Sequence, residues 1–453
     1  MKVLVICTLF PPDSSIGAIK PYMIAHYLGK YENDVTVIRY GEFESTPEVG
    51  SNYKENLEIY TVLGENSEVE RFERGDYIQT HNTTFWSSLF KKIPVRFLLP
   101  LRFCFQPIIV TAKLIKCYRK YKNIKKVIDK IYDKGNSFDV VFSSYNALEN
   151  IYAGEYAAKV FGAKWVMEFR DPVEDFYSAT YPVVGWAWNF YCNYIHRYVI
   201  KKCDICSVVS EGIKRKFLKL SPNANNIIVI HNGYDSEVEC EDYNYKNTEP
   251  EHFIICYTGG LYEERKIALE SMLVHLSNLL DEGLIDRKRI LFKYAGNASK
   301  EAKELFNEYS ISDILEDHGY VSRDEAQAIQ QNSDLFLVLS WNTKASQGVL
   351  TGKFYEGIRA GRPILSVITG DVPESELWEL NKKYHYGYCY ESCRGKAADD
   401  KLKEFILGMY ERKFSDKGIT YKPNPDLVQD FHYKNITKKL ERLMLELVNE
   451  DKK

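Results

Sequence analysis

Ten apolar runs of strand length, most of them followed by a helix-like stretch, limit what this chain can fold into. KVLVICT, DVTVIRY, DVVFSS, KWVMEF, DICSVVS and IIVIHN come first, and FIICYTGG, ILFKYAG, LFLVLSW and RPILSVI follow after a polar gap. A strand that is apolar along its whole length has no wet face, so it belongs in a parallel sheet with helices on both sides. The gap, residues 236–252 (SEVECEDYNYKNTEPEH), is acidic, rich in Asn and Tyr and without periodicity, which marks a linker. At 453 residues the chain is too long for one ordinary core. The expectation is an α/β protein of two doubly wound, Rossmann-like domains.

Composition narrows the class. Apolar residues make up 45% and the net charge is −3, so nothing pulls the whole protein toward nucleic acid. The opening MKVLVICTLFPP lacks a small-residue cleavage site and stops at Pro11-Pro12, and so reads as a first strand, not a signal peptide. Ten cysteines lie scattered, several inside apolar runs (Cys7, Cys206, Cys256), as suits reduced core thiols and a cytoplasmic location. Cys203 and Cys206 form a single C-x-x-C with no second pair nearby, which favours strand burial over a metal.

Ligands of doubly wound sheets bind at the carboxyl ends of the strands, so polar residues just after each run come first. Gly17 follows the first run, where it could admit a ligand to the backbone or serve an ordinary turn. Arg170-Asp171-Pro172 stops KWVMEF, and Asp171 could act as a base. After FIICYTGG, LYEERK brings Arg265 and Lys266 to a helix start, and TGKFYEG brings Lys353 to another, with Glu356 three residues on. As a solvated pair, Lys353 and Glu356 would contribute only a few tenths of a kcal/mol. Cations at helix starts oppose the helix dipole unless an anion joins them. A diphosphate would relieve the repulsion in both places, and Glu356 could accept hydrogen bonds from ribose hydroxyls. His231, in VIHNGYD, reads as structural, with Asn232-Gly233 as a tight turn.

In this order and spacing, FRDP, VVSEGIK, VIHNGYD, YTGGLYEERK, HGYVSRDEAQAIQQNSDLFLVLS and TGKFYEGIRAGRPILSV resemble the retaining, nucleotide-sugar-dependent glycosyltransferases of the GT-B fold. They are most similar to the family 4 enzymes that build bacterial surface polysaccharides, including capsule and lipopolysaccharide. The resemblance implies an acceptor-side domain over residues 1–240, a nucleotide-sugar domain over 250–429, and a last helix, about 430–453, that returns to the first domain. Arg265 and Lys266 would neutralise the donor diphosphate, aided by Lys353 and the backbone of Gly352. Glu356 would hold the ribose, Gly319, Tyr320, Val321 and Ser322 would line the base pocket, and Gly17 would meet the phosphates. Arg170 and Asp171 would serve the sugar or acceptor side. Two departures stand out: Gly348 where the family motif has its first glutamate, and Gly260 where many members carry arginine. With no D-x-D motif and no histidine cluster in the sequence, a metal-free, cofactor-free reaction is expected. The partners implied are a nucleoside-diphosphate sugar and a glycan or lipid-linked acceptor.

From Trp86 to Lys134 the chain carries thirteen Lys or Arg against two Asp, interleaved with aromatic residues and leucines. This suits contact with an anionic membrane surface, peripheral on the inner face of the cell membrane, better than a solvated helix face or nucleic acid. Phe176–Ile195 holds no charge, but its prolines, asparagines and tyrosines argue against a spanning helix; it reads equally as an aromatic acceptor wall or a buried helix. Two rival functions remain at this level: a non-catalytic nucleotide-binding partner subunit, and a nucleotide-sugar 2-epimerase.

Overall fold

In a computed structural model, which describes residues 1–11, 16–40, 57–62, 95–145, 147–172, 186–235 and 249–450, the apolar runs become the strands of two parallel sheets. The first is built from β1 (Lys2–Cys7), α1 (Ile16–Lys30), β2 (Asp34–Tyr40), β3 (Leu57–Val62), α2 (Val95–Asp133), β4 (Val140–Tyr145), α3 (Leu148–Phe161), β5 (Lys164–Phe169), α4 (Trp186–Lys202), β6 (Ile205–Val208), α5 (Glu211–Leu220) and β7 (Ile227–Val229). Its order is β3-β2-β1-β4-β5-β6-β7, every neighbouring pair parallel, with the topological switch between β1 and β4.

The second sheet comes from β8 (Phe253–Thr258), α6 (Glu263–Asp281), β9 (Ile290–Ala295), α7 (Ser299–Glu308), β10 (Leu315–Asp317), α8 (Arg323–Gln331), β11 (Leu335–Trp341), α9 (Gly352–Ala360), β12 (Ile364–Thr369), α10 (Glu376–Tyr384) and β13 (Gly387–Glu391). Three further helices follow, α11 (Lys396–Lys413), α12 (Pro425–Phe431) and α13 (Tyr433–Glu450). The order β10-β9-β8-β11-β12-β13 is again all parallel, and its switch lies between β8 and β11. Alternation along β11 shows why the run had to be apolar throughout. Leu335, Leu337 and Leu339 pack with Met272 and Leu276 of α6, while Phe336 and Val338 pack with Phe354 and Ile358 of α9.

The chain divides into two compact units. One comprises Met1–Val209, Ile213–Ile230 and Thr437–Lys453; the other comprises Ser210–Gly212 and His231–Ile436. Within the first, α13 is held by Asn33, whose amide donates to Glu441 at 2.7 Å, and by the fully buried Leu440 and Met444.

Three readings of the sequence need comment. Asn232-Gly233 is irregular chain and not a tight turn. Glycine is required there because a Cβ would come within 2.4 Å of the Phe431 carbonyl oxygen. Cys203 and Cys206 are both buried, and desolvation raises the Cys206 thiol well above its usual range. Residues 86–94 of the basic stretch, 176–185 of the uncharged stretch and 236–248 of the linker lie outside the described residues. The remainder of the uncharged stretch falls in α4, neither wholly buried nor wholly wet: Ala187, Trp188, Cys192 and Ile195 face the core, while Trp186, Phe190 and Tyr194 are exposed.

Candidate functional site

At the switch point of the second sheet, three loops and a helix start gather on the carboxyl edge. β8 ends at Thr258 and is followed by Gly259-Gly260. Gly259 has φ +150°, its N–H donates to the Ala295 carbonyl at 2.7 Å, and its own carbonyl accepts from the Tyr294 hydroxyl at 3.1 Å. The Tyr257 hydroxyl donates to the Gly260 carbonyl at 3.0 Å. Burial pushes the Tyr294 hydroxyl up to about 12, so it remains a donor at neutral pH. Gly296 packs so closely on Gly259 that a Cβ would lie 2.2 Å from the Gly259 carbonyl oxygen. Its N–H reaches Gly319 at 2.8 Å, tying the loop after β10 to the same edge.

Two cations meet on that glycine pair. The Lys353 stem runs against Gly259, where an added Cβ would stand 2.9 Å from Cε. Arg265 lays its guanidinium over the Tyr262 ring, 4.3 Å from the centroid, with Nη1 3.5 Å from the Gly260 carbonyl; its Nε is buried without a hydrogen-bond partner among the described residues. Lys266 is half-buried, and its side chain makes no hydrogen bond or ion pair among the described residues. Helix α6 opens with Glu263 and Glu264, so the charge at its start is better balanced than the two cations alone imply.

No carboxylate occupies the first turn of α9. Lys353 is its second residue, and the N-cap Thr351 makes no capping bond. The Thr351 hydroxyl is buried without a partner among the described residues, a loss of about 1–3 kcal/mol relative to a satisfied group. Lys353 Nζ donates to both oxygens of Glu356, at 2.8 and 2.7 Å, in a pair that is only partly buried. Gln330 completes the group: its side-chain amide donates to Glu356 Oε2 and to Thr258 Oγ1, each at 2.7 Å, and Arg359 donates to its carbonyl oxygen at 3.3 Å. Glu356 thus already accepts three hydrogen bonds of the roughly four its carboxylate can take. A diol ligand needs Lys353 to swing away, which an anion beside Gly259 would favour.

Of the residues expected at a base pocket, Gly319 adopts φ +64° with its N–H on Asp317 (2.9 Å), Tyr320 is 71% exposed, and Val321 is half-buried. The Ser322 hydroxyl is committed to capping α8 in a reciprocal box with Glu325. Gly352 opens α9 with open space where a Cβ would stand. Gly348 has φ +74°, a left-handed conformation in which a glutamate would be strained.

On the first sheet, Gly17 lies in the opening turn of α1, and its carbonyl accepts from Arg170 Nη1 at 2.5 Å. Arg170 therefore braces the start of α1. Asp171, the next residue, is exposed. Reading the sequence missed the group beneath. Lys20 and Glu168, both fully buried, form a 2.8 Å ion pair, with Lys20 also donating to the Ile230 carbonyl (2.6 Å) and Ser144 to Glu168 (2.7 Å). Desolvation lowers the Lys20 ammonium and Glu168 opposes it. The available signal was the glutamate inside KWVMEF. Gln330 and Thr351 were missed as well.

No protein-family model matches the chain, and no curated protein matches it. Solved structures do. HepE of Anabaena in complex with UDP and glucose aligns over 98% of this chain and 100% of its own at TM-score 0.54 and 12% identity. The lipopolysaccharide outer core galactosyltransferase WaaB in its apo form aligns over 98% and 99% at TM-score 0.55 and 12% identity. UDP-GlcNAc 2-epimerase from Neisseria meningitidis bound to UDP-GlcNAc aligns over 98% and 100% at TM-score 0.51 and 12% identity. At such identities the likeness is one of architecture: the two parallel Rossmann-like sheets, of seven and six strands, are those of the GT-B fold.

Proposed function

We propose that the chain is a retaining, metal-independent glycosyltransferase, similar to the family 4 enzymes, that moves a sugar from a nucleoside diphosphate to a glycan or lipid-linked acceptor in surface polysaccharide assembly. One observation carries the reading: Lys353 and Arg265 flank the Gly259-Gly260 pair at the switch point, beside a helix start whose N-cap hydroxyl has no partner among the described residues. A diphosphate there would accept from the N–H groups at the start of α9, from Thr351 and from both cations, with Lys266 adding charge. Glu356, steered by Gln330, would receive the ribose hydroxyls, and the exposed Tyr320 ring would offer the base a stacking face.

As the anomeric carbon–oxygen bond to the diphosphate breaks, negative charge grows on the leaving phosphate, where fixed cations lower the barrier. The acceptor oxygen forms the new bond on the same face, and its proton passes to the departing phosphate. Asp171 on the first sheet is the protein group offered as an alternative base. Purified protein should transfer label from a radiolabelled nucleotide sugar to an acceptor, with the anomeric configuration retained and the rate unchanged by EDTA. The GT-B fold equally accommodates the 2-epimerase reading, which this assay separates: an epimerised sugar nucleotide formed without acceptor would establish it. Donor-induced thermal stabilisation with neither product would leave a nucleotide-binding partner subunit.

A further inference from the structure

Helices α2 and α4 lie against each other in the first unit. Val110 and Cys117 of α2 share a core with Trp188, Cys192 and Ile195 of α4. Lys113 sits over the Trp188 ring at 5.3 Å. Each helix leaves one strand of the all-parallel sheet and leads into another, α2 into β4 and α4 into β6, so both run back against the strands and in the same direction as each other. Their inner faces are accounted for by this packing.

Their outer faces carry exposed apolar side chains. Ile108 is 63% exposed and Ile115 49%, while on α4 Phe190 is 73% and Tyr194 56% exposed, with Trp186 one turn before. The spacing 186, 190, 194 places the three aromatic residues on one stripe. Because the helices run in parallel, their apolar ends lie side by side. Beyond them, toward both carboxyl ends, exposed cations gather: Lys116, Arg119 and Lys122 around the exposed Tyr118 on α2, and Arg197 on α4. Helix α4 contains no Asp or Glu, and α2 has none before Asp129.

We propose that the paired outer faces of α2 and α4 dock on an anionic lipid bilayer, with Phe190 and Tyr194 as the side chains that enter its interface. Charge decides the occupant. A second copy of this face would oppose cation to cation, whereas an anionic headgroup layer neutralises all four while its acyl boundary receives the aromatic stripe. Tyr194, with one apolar and one polar end, suits that depth, and Phe190 suits the acyl boundary beneath it. Among the described residues no helix is long and apolar enough to cross a membrane, so the contact is interfacial.

The test is co-sedimentation of the full chain with vesicles of phosphatidylcholine mixed with phosphatidylglycerol, and with phosphatidylcholine alone; it requires no sugar transfer, so its outcome is independent of the transferase reading. Wild type should bind the anionic vesicles and leave the neutral ones. Phe190→Ser with Tyr194→Ser should weaken binding at least tenfold with an unchanged melting temperature, since both positions are exposed. Lys116→Gln, Arg119→Gln and Lys122→Gln should each weaken it about fivefold, and less so at high salt. Wild type that ignores anionic vesicles, or a Phe190/Tyr194 variant that binds as wild type does, overturns the proposal. So does a solution dimer that this variant dissociates, which would give the face to a second copy.

Discussion

Lys353 sits where a helix dipole repels it, held by a carboxylate one turn on. As a partly exposed pair, Lys353 and Glu356 contribute no more than about 1 kcal/mol to stability. Lys353→Ala should therefore leave the melting temperature nearly unchanged, yet lower kcat with saturating donor by about 100- to 1,000-fold, as loss of one charge-stabilising donor does elsewhere. A variant that turns over normally would remove Lys353 from the diphosphate. Glu356→Gln should act on binding: it loses charge-assisted bonds worth about 1.5–3 kcal/mol, a weakening of nucleoside diphosphate affinity of about 10- to 150-fold by calorimetry. These two residues were legible because a cation at a helix start contradicts local electrostatics. Gln330 was not, since a glutamine on a polar helix looks solvated until β8 and α9 close over it. Tyr257 and Tyr294 read only as strand apolar residues, though their hydroxyls fix the glycine pair between the cations.

At the level of elements, the strands could be read because apolar residues run unbroken through them, and the all-parallel pairing followed from that. What the sequence could not disclose was which polar residues the elements would enclose. Helix α1 is joined to β5 by Lys20 and Glu168, residues 148 positions apart, and removal of one partner leaves the other charged and buried. Lys20→Met should cost about 3–5 kcal/mol in urea unfolding, much of it recovered when Glu168→Gln is added. Helix α8 depends on its box: Ser322→Ala should cost about 0.5–2 kcal/mol. The hydrogen bonds from Ser322 lower the Glu325 carboxyl below its usual 4.5. That part of the cap is present above about pH 4.5 and is lost as pH falls through the lower folded value, so the Ser322→Ala penalty should shrink in acid. A penalty independent of pH would show that Glu325 does not complete the box.

Over the whole molecule, the two units share one chain that passes from the first to the second after Ile230 and returns at Thr437. Leu440 and Met444, both on the returning segment, are fully buried in the first unit. Each, changed to alanine, should cost about 2–5 kcal/mol, and hydrogen exchange should rise in β1 and β2 while β8 and β11 keep their protection. Equal loss in both sheets would mean that the units unfold as one. The same path imposes a timetable during synthesis. At about 5–20 residues per second, the roughly 200 residues from Ile230 to Thr437 take some 10–40 s to emerge, and during that interval the first sheet exists without its closing helix. The second unit, apart from Ser210–Gly212, is one continuous stretch and can fold as it leaves the ribosome, whereas the part of the protein made first is the last to be finished.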